Sequence, residues 1–500
     1  MFLDAIAANC RAHPQKTAIL FLGGEAVSYA QLAQTTNRTA HYLRALGIDP
    51  GDRVAAQLPK CLPFITLHLA AMQIGAVFLP LNPGYPPAEL RYFLADAGAR
   101  LLFADRTKQA ALTEMSASLP ALQEAIFIDA DAPWSDRVSG YSANPVSLPV
   151  DPDQTAMMLY TSGTTSRPKG ALITHGNLTA NIEALHSAWG WRADDLLLHA
   201  LPIFHVHGLV VALHGALHAG ATAELLPDFD AAAVLDLLQS RRYSVFMGVP
   251  TMHRRLYAQA AGTRIDLSFM RLLTSGSDRL PDDLFFGYQR SFGVTLLERY
   301  GMTETGMNLS NPLHGERRVG SVGMPLPGVR ARIADPATDL PLPDDVVGEV
   351  QISGAHVFAG YWNQPEKTAR AFTEDGWLRT GDLGSRSRDG YFTLKGRAKD
   401  LIISGGLNVY PPEVELALMT HADVAACAVI GCPDAEWGEL VVAVIVLAPG
   451  AAPTADEIRA HCRDRLAAYK APRRVVFAAE LPRNALGKAQ KALLRGTACE

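Results

Sequence analysis

Two apolar runs, residues 156–160 and 170–174, flank a loop rich in small hydroxylated and glycyl residues. The loop, TSGTTSRPK over residues 161–169, offers hydroxyls, backbone N–H groups and the ammonium of Lys169, which together suit a polyphosphate. A Walker A loop is excluded, because that motif passes from its Lys into Ser or Thr and a helix. Here Gly170 and a β-like run follow, so the pattern predicts a strand, a loop and a second strand. The loop is then either a phosphate site or an ordinary surface hairpin.

Composition is typical of a globular enzyme. Hydrophobic residues make up 48% of the chain and charged residues 19%, which argues against disorder. The net charge of −5 and the lack of a long basic tract exclude nucleic acid as an expected partner. The apolar start of the chain is interrupted at Asp4, unlike a signal peptide, and no apolar run reaches the ~18 residues of a membrane span. We expect a cytoplasmic protein with no membrane contact, and the pattern indicates no particular oligomeric state.

The cysteines form neither a CxxC pair nor a spacing typical of a zinc site. Because thiols of cytoplasmic proteins are kept reduced, the sequence predicts free thiols. The six residues concerned are Cys10, Cys61, Cys427, Cys432, Cys462 and Cys499.

Helix and strand patterns alternate through the first hundred residues. Helices are predicted at residues 28–47, 63–75 and 88–97, and strands at 53–58, 76–81 and 101–104. This alternation predicts an α/β fold with a large N-terminal domain of layered helices and largely parallel sheets. Residues 130–153, rich in Asp, Pro and Ser, are interpreted as a linker or a surface excursion. Strands and helices mix after residue 400, which favours a small α+β C-terminal domain.

Polar residues follow two further predicted strands, in RLLTSGSDRL and VTLLERYGMTET. Ligands of open α/β sheets lie at the carboxyl ends of strands. Tyr300 can stack on a purine ring, Thr303 can donate to a phosphate oxygen, and Glu304 offers Mg²⁺ a hard oxygen. Asp382 stands in a turn between strands, where a carboxylate suits a ribose diol but is also common without a ligand.

Two histidines and one arginine have both a structural and a functional interpretation. His205 and His207 lie at i and i+2, a spacing that disfavours a helical zinc site. They are either partly buried core residues or functional groups. In the helix TMHRRLYAQA, Met252, Arg255 and Leu256 lie at i, i+3 and i+4, which predicts Arg255 on the apolar face. A guanidinium there needs an anion, unless the side chain snorkels to the surface.

Five motifs resemble the signatures of the adenylate-forming superfamily, which contains acyl- and aryl-CoA synthetases, peptide-synthetase adenylation domains and luciferases. They are TSGTTSRPKG, YGMTE, TGD, the stretch 397–406, and PRNALGK at residues 482–488. The loop carries Ser166 where the family usually has Gly. The resemblance implies an ATP site formed by Thr161, Ser162, Gly163, Thr164, Thr165, Lys169, Ser277, Glu298, Tyr300, Gly301, Met302, Asp382 and Arg397.

The resemblance also implies two half-reactions and two domains. A carboxylate would attack Mg-ATP to give an acyl-adenylate, and coenzyme A would then take the acyl group, which makes ATP, Mg²⁺ and coenzyme A the expected small molecules. The implied domains span residues 1–398 and 399–500, with a hinge at Lys399. The implied residues are Lys488, Thr303, Glu304 and His205 for catalysis, Glu304 for the metal, and Ser404, Gly405 and Gly406 for the coenzyme A path.

The neighbouring sequence is most similar to malonyl-CoA synthetases. The similarity lies in ERYGMTETGMNLSNP, HALPIFHVHGL and GVPTMHRRL. It implies that Arg255 and Arg299 hold the far carboxylate of malonate, with methylmalonate as a further candidate, and that His205 and His207 line the acyl pocket. His205 stands where amino-acid-activating relatives carry Asp, which argues against an amino-acid substrate.

Three alternatives remain open at this point. The first is a CoA ligase for another short-chain or aryl carboxylate. The second is adenylation onto a carrier protein. The third is a nucleotide-binding protein without catalytic activity, which the five motifs disfavour.

Overall fold

The computed structural model describes residues 1–129, 133–146, 150–161, 168–240, 242–260, 262–483 and 487–499. The helices are α1 (Phe2–Ala12), α2 (Tyr29–Ala45), α3 (Leu62–Gln73), α4 (Pro87–Ala97), α5 (Gln109–Ala117), α6 (Trp134–Val138), α7 (His175–Trp189), α8 (Gly215–His218), α9 (Ala231–Gln239), α10 (Pro250–Ala260), α11 (Asp282–Phe292), α12 (Pro365–Ala371), α13 (Pro411–Leu418), α14 (Ala455–Arg463) and α15 (Lys491–Ala498). A π-helix, His207–His214, precedes α8, and short 3₁₀ turns cover Arg106–Lys108 and Ala398–Asp400.

The strands follow the same chain order. They are β1 (Thr17–Phe21), β2 (Ala26–Ser28), β3 (Arg53–Gln57), β4 (Val77–Pro80), β5 (Leu101–Asp105), β6 (Glu124–Ile128), β7 (Thr155–Thr161), β8 (Lys169–Thr174), β9 (Leu196–His199), β10 (Thr222–Leu225), β11 (Val245–Gly248), β12 (Leu272–Ser275), β13 (Leu297–Met302), β14 (Gly306–Ser310), β15 (Met324–Pro325), β16 (Arg330–Ala334), β17 (Gly348–Ser353), β18 (Gly360–Tyr361), β19 (Leu378–Arg386), β20 (Phe392–Arg397), β21 (Ile402–Ser404), β22 (Leu407–Val409), β23 (Val424–Asp434), β24 (Gly438–Leu447) and β25 (Arg474–Phe477).

Two large sheets form the layers of the N-terminal part. One runs β15-β14-β13-β12-β11-β9-β10-β1-β2 and the other β18-β8-β7-β4-β3-β5-β6. Their inner pairs are parallel, and antiparallel pairs lie toward the edges, as at β13–β14 and β7–β8. A smaller antiparallel sheet, β16-β17-β19-β20, follows. The predicted α/β fold with layered, largely parallel sheets is confirmed.

Local sequence explains how the first helices are placed. Ser28 caps α2, because its side chain accepts from the backbone N–H of Gln31. Helix α3 is apolar on all sides, and its residues Pro63–Met72 are buried in the core that both large sheets share. Such a helix is expected inside a layered domain, where no face meets water.

The expectation of a linker or surface excursion at residues 130–153 is wrong for residues 134–138. Helix α6 lies there, and its Trp134 is buried. The indole Nε1 donates to Thr39 Oγ1 at 3.1 Å, and the ring packs edge-on against Tyr42 and Phe103. One large aromatic side chain is enough to hold this polar segment on the core.

The C-terminal part forms its own sheet and its own cores. Strands β22-β21-β24-β23 pair in that order, and β25 adds to β24. Apolar clusters lie on both faces, one containing Val414 and Ile458 and the other Ile430 and Leu494. This small α+β unit is confirmed. Strand pairing belongs to the preceding sheet up to Arg397 and to this sheet from Ile402 onward.

The prediction of free thiols is wrong for one pair. Cys432 on β23 and Cys499 after α15 form a disulfide across 67 residues of sequence. The fold packs α15 on β23, which brings together two cysteines that the sequence keeps far apart. Cys10, Cys61, Cys427 and Cys462 take part in no disulfide of the described structure, as predicted. Among the described helices, none has the length and apolarity needed to cross a bilayer.

Candidate active site

The carboxyl ends of β12 and β13 form the centre of the site. These strands are parallel neighbours, with Ser275 opposite Glu298. Ser277, just past β12, has a φ of 69°. A serine in this left-handed region is strained, and such strain is concentrated at functional sites. The chain therefore holds Ser277 in an unfavourable conformation at the place where ligands of α/β sheets bind.

Tyr300, Asp382 and Arg397, which the resemblance assigns to one ATP site, lie in contact. The Tyr300 hydroxyl donates to Asp382 Oδ2 at 2.5 Å, and Arg397 Nε lies 2.7 Å from Asp382 Oδ1. Asp382 lies within β19 and not in the predicted turn, and it faces Arg397 across β19 and β20. Although burial opposes the charge of Arg397, Asp382 and Tyr300 keep its pKa above the ordinary value. The cluster presents a buried carboxylate fixed by two donors.

Glu304 and Lys169 are connected through Tyr361. The Tyr361 hydroxyl donates to Glu304 Oε1 at 2.8 Å, and Lys169 Nζ lies 4.1 Å from the centre of the Tyr361 ring. Burial lowers the pKa of Lys169, an effect that the nearby Glu304 carboxylate opposes. Tyr361 is not among the residues predicted for the site, and the motif GYWNQP is the sequence signal that contains it.

The donor set around Glu304 fits Mg²⁺. Mg²⁺ is usually held by one or two carboxylates, waters and the phosphates of its substrate, so one carboxylate beside the phosphate loop is enough. Glu304 is buried and fixed in orientation by Tyr361, while Lys169 stands at the end of the loop. No group of three or more His, Cys, Asp or Glu suited to a metal occurs among the described residues.

Arg299 is a buried cation. Its side chain is fully buried, and Nη2 donates to His207 Nε2 at 2.5 Å. Nε and Nη1 have no partner among the described residues. Burial lowers the pKa of Arg299 to about 9, so the guanidinium stays charged at neutral pH. Burial, together with the charge of Arg299, holds the pKa of His207 well below its ordinary value, so this imidazole is neutral.

The neighbours of Arg299 differ in what they contact. His207 Nδ1 lies 3.4 Å from Ser277 Oγ. Burial lowers the pKa of His205 to about 4, and its Nε2 has no partner in the described chain. The Glu298 carboxylate accepts from the backbone N–H of Leu280 at 2.8 Å, which holds the loop after β12. Burial raises the pKa of Glu298 to about 8.

The prediction that Arg255 lies on a buried face is wrong. Arg255 is exposed, whereas Met252, His253 and Leu256 are buried. The neighbouring Arg254 pairs with Asp283, at 3.0 Å between Nη1 and Oδ2. The i, i+3, i+4 pattern places Arg255 at the edge of the apolar stripe, where a long cationic side chain turns to water. Arg255 is thus exposed, and its place beside Arg299 at the substrate stays a prediction.

The phosphate loop has the predicted topology. Strands β7 and β8 are antiparallel, and Thr161 is paired with Lys169. Ser162, Gly163, Thr164 and Thr165 lie outside the described residues, as does Ser166. The structure thus places the two ends of the loop, beside Tyr361 and Glu304.

The hairpin of β13 and β14 holds the remaining nucleotide motif. A Cβ added to Gly301 would stand 2.0 Å from the carbonyl oxygen of Gly306, so this position takes glycine only. Met302 ends β13, and Thr303 lines a cavity together with Val206, Val210 and Gly306. The volume of the cavity is about 10 Å³, close to one water molecule.

The C-terminal unit reaches this site. Gly487 lies against α10, since a Cβ added there would be 3.2 Å from Thr251 Oγ1. Lys488 follows, close enough to Lys399 for the two charges to interact. Ser404, Gly405 and Gly406 form the tight turn between β21 and β22, and both glycines have positive φ.

Family models match nearly the whole chain. The model described as AMP-binding enzyme covers residues 6–362, and the model described as AMP-binding enzyme C-terminal domain covers residues 413–488. A feruloyl-CoA synthase from Amycolatopsis sp is 39% identical, with 97% of each chain covered. A mitochondrial malonate–CoA ligase from Mus musculus is 36% identical over 90% of this chain and 82% of its own.

Solved structures of relatives allow the three-dimensional fold of the whole chain to be compared as well. ATP-bound MatB from Rhodopseudomonas palustris is 41% identical and covers 100% of this chain and 99% of its own, with a TM-score of 0.95. Against apo MatB from the same organism, with the same identity and coverage, the TM-score is 0.82. The chain therefore superposes more closely on the ATP-bound form. It belongs to the AMP-binding, adenylate-forming enzymes and is an AMP-forming acyl-CoA ligase similar to malonyl-CoA synthetases.

Proposed function

We propose that this acyl-CoA ligase activates malonate, with methylmalonate as a further substrate. The observation that carries the proposal is the buried guanidinium of Arg299 at the carboxyl end of β13. A buried charge without a counter-ion is very costly. Arg299 has no carboxylate partner among the described residues, so an anionic group of the substrate would supply it.

The imidazole beside Arg299 supports the same conclusion. His207 is neutral, because burial and the neighbouring cation oppose its protonation. Arg299 therefore provides the charge in this part of the pocket, and Ser277 provides a hydroxyl. An acid with a second negative group, in addition to the carboxylate that reacts, could pair that group with this cation.

The runner-up substrate is a hydroxycinnamate or another aryl carboxylate, which the 39% identity to a feruloyl-CoA synthase favours. A charged guanidinium at the end of the pocket opposes a large apolar group.

The first half-reaction joins the carboxylate to the α-phosphate of ATP and expels pyrophosphate. We assign Lys488 and Thr303 to the charge on the carboxylate and α-phosphate, and Lys169 with Thr161 to the leaving phosphates. Glu304 would hold Mg²⁺, which when bound neutralises phosphate charge. Asp382 and Arg397 would bind the ribose, and Tyr300 the adenine. These residues position the reactants and stabilise charge.

The second half-reaction needs a different arrangement of the C-terminal unit. The contact of Gly487 with Thr251 and the closer match to ATP-bound MatB support an arrangement suited to adenylation. We propose that residues 399–500 rotate about Lys399, which would move Lys488 away and bring Ser404–Gly406 to the acyl-adenylate. Coenzyme A thiol would then attack the acyl carbon and release AMP. Such hinge motions let one site serve two steps.

Substrate-dependent AMP release tests this proposal. The assay uses ATP, Mg²⁺ and coenzyme A with malonate, methylmalonate, succinate, acetate, benzoate and ferulate. Highest kcat/KM with malonate or methylmalonate is expected. Preference for acetate, benzoate or ferulate would reject the dicarboxylate pocket and leave the ligase mechanism in place.

A further inference from the structure

The guanidinium of Arg299 occupies the space that a side chain at Gly276 would need. A Cβ built on Gly276 would stand 2.1 Å from Nη1 of Arg299 and 2.3 Å from its Cζ. Gly276 is not among the glycines with positive φ, so its backbone conformation does not require glycine. The close approach of the guanidinium is therefore what restricts this position.

The displaced guanidinium would have no easy alternative position. Arg299 is almost completely buried, and it follows the buried Glu298, which is paired with the buried Ser275 of β12. Leaving its present place would also break the bond from Nη2 to His207 Nε2. A methyl group at residue 276 would therefore push the Arg299 guanidinium out of its present place, because the close-packed interior leaves little room for a smaller adjustment.

His207 fixes the guanidinium by a second contact. Arginine only donates, so Nε2 of His207 is the acceptor and the proton of the neutral ring is on Nδ1. Nδ1 in turn faces Ser277 Oγ at 3.4 Å. The ring orientation, and with it the direction of the guanidinium, is set by residues on both sides of the imidazole.

We infer that Gly276 and His207 are the positioning residues that select acids with a second anionic group. The inference rests on the proposed function and specifies it. Gly276 leaves the space in which the Arg299 charge stands, and His207 holds that charge, while the buried Nε and Nη1 have no hydrogen-bond partner in the described part of the chain. A carboxylate or a sulfonate on a short chain has the required charge, and a monocarboxylate gains nothing from the pair.

The principal test is Gly276→Ala, compared with Gly140→Ala, because a Cβ at Gly140 would meet no atom within 4 Å. For Gly276→Ala we expect kcat/KM for malonate to fall about 100-fold, while the KM for ATP changes less than about threefold. Gly140→Ala should behave as wild type. Malonate use by Gly276→Ala at the wild-type level would overturn the inference. A wild-type enzyme without malonate activity would instead reject the proposed function.

Two further measurements keep the test independent of folding defects. Thermal unfolding of Gly276→Ala, Arg299→Ala and the double variant forms a double-mutant cycle. We expect the alanine at 276 to lower Tm when Arg299 is present and to have little effect when it is absent; equal effects would contradict the inference. His207→Leu should raise the KM for malonate about tenfold, and His207→Gln, which keeps an acceptor, should recover part of that loss. If His207→Leu leaves the KM for malonate unchanged and His207→Gln shows no recovery, His207 does not contribute to substrate selection.

Discussion

Tyr361 donates its hydroxyl proton to Glu304 Oε1 at 2.8 Å, and its ring lies 4.1 Å from Lys169 Nζ. A single side chain thus contacts the carboxylate that suits Mg²⁺ and the ammonium at the end of the phosphate loop. Burial and the nearby Glu304 carboxylate raise the pKa of Tyr361, so the phenol remains protonated and continues to donate.

Tyr361→Phe should raise the Mg²⁺ concentration needed for half-maximal activity about tenfold, as expected when a residue that orients a metal ligand is lost. The phenylalanine ring keeps the contact with Lys169, so kcat at saturating Mg²⁺ should fall less than about threefold. Mg²⁺ titration of AMP release measures both. Tyr391→Phe, which affects a hydroxyl bonded to the Glu316 carbonyl, is the control. An unchanged Mg²⁺ requirement would show that Tyr361 does not orient Glu304.

Asp382→Asn should weaken ATP binding roughly 10- to 150-fold, the effect of losing a hydrogen bond to a charged group. The substitution removes the carboxylate that Tyr300 and Arg397 hold. Isothermal titration with ATP gives the Kd directly. Asp375→Asn is the matched control, because Asp375 is exposed and pairs with Arg332. Equal Kd values for both variants would contradict the ribose assignment.

Acid should destabilise the fold below about pH 6.5. Burial lowers the pKa of His68 and His199 to about 3 and that of His253 to about 4, from 6.5 in the unfolded chain. As pH falls, the unfolded state binds protons first. The stability that these neutral rings contribute is therefore complete above pH 6.5 and is lost as pH falls from 6.5 toward 4, at up to ~1.4 kcal/mol per pH unit for each ring.

Thermal unfolding at pH 7.5, 6.0 and 5.0 measures this loss. His68→Gln should make the decrease of Tm with pH smaller, because one proton fewer is taken up on unfolding. His314→Gln, a substitution at an exposed position, is the matched control. A Tm that is constant from pH 7.5 to 5.0 would contradict the neutral buried histidines.

Reduction of the Cys432–Cys499 disulfide should destabilise the C-terminal unit by about 4 kcal/mol, the loop-closure value for a bridge across 67 residues. Dithiothreitol should lower the Tm of that unit. In Cys499→Ser the Tm should already be low and insensitive to dithiothreitol, whereas Cys10→Ser should keep the wild-type response. If dithiothreitol leaves the wild-type Tm unchanged, the bridge does not form in solution.

Short-range patterns predicted much of the structure. The strands on either side of the phosphate loop, the helix that follows Ser28 and the contact of Asp382 with Arg397 all follow from local sequence or from a motif. Each depends on residues within one element or on one pair of adjacent strands. The burial of Arg299 also agrees with its position in a strand that runs into the site.

Long-range packing accounts for what the sequence could not predict. Cys432 and Cys499 become neighbours only when α15 packs on β23. Helical spacing put Arg255 on the apolar face, yet the width of the buried stripe, set by tertiary contacts, leaves it exposed. The restriction at Gly276 depends on the path of a side chain from the next strand, and no local pattern contains that information.

Comparison of wild type with Arg299→Met in malonate-dependent ATP–pyrophosphate exchange tests the central claim most directly. The assay reports adenylation alone and needs neither coenzyme A nor movement of the C-terminal unit. We predict rapid exchange with malonate in the wild-type enzyme and a loss of at least about 100-fold in Arg299→Met, since the second carboxylate would lose its charged partner. Exchange with malonate at the wild-type rate in Arg299→Met would contradict the dicarboxylate pocket.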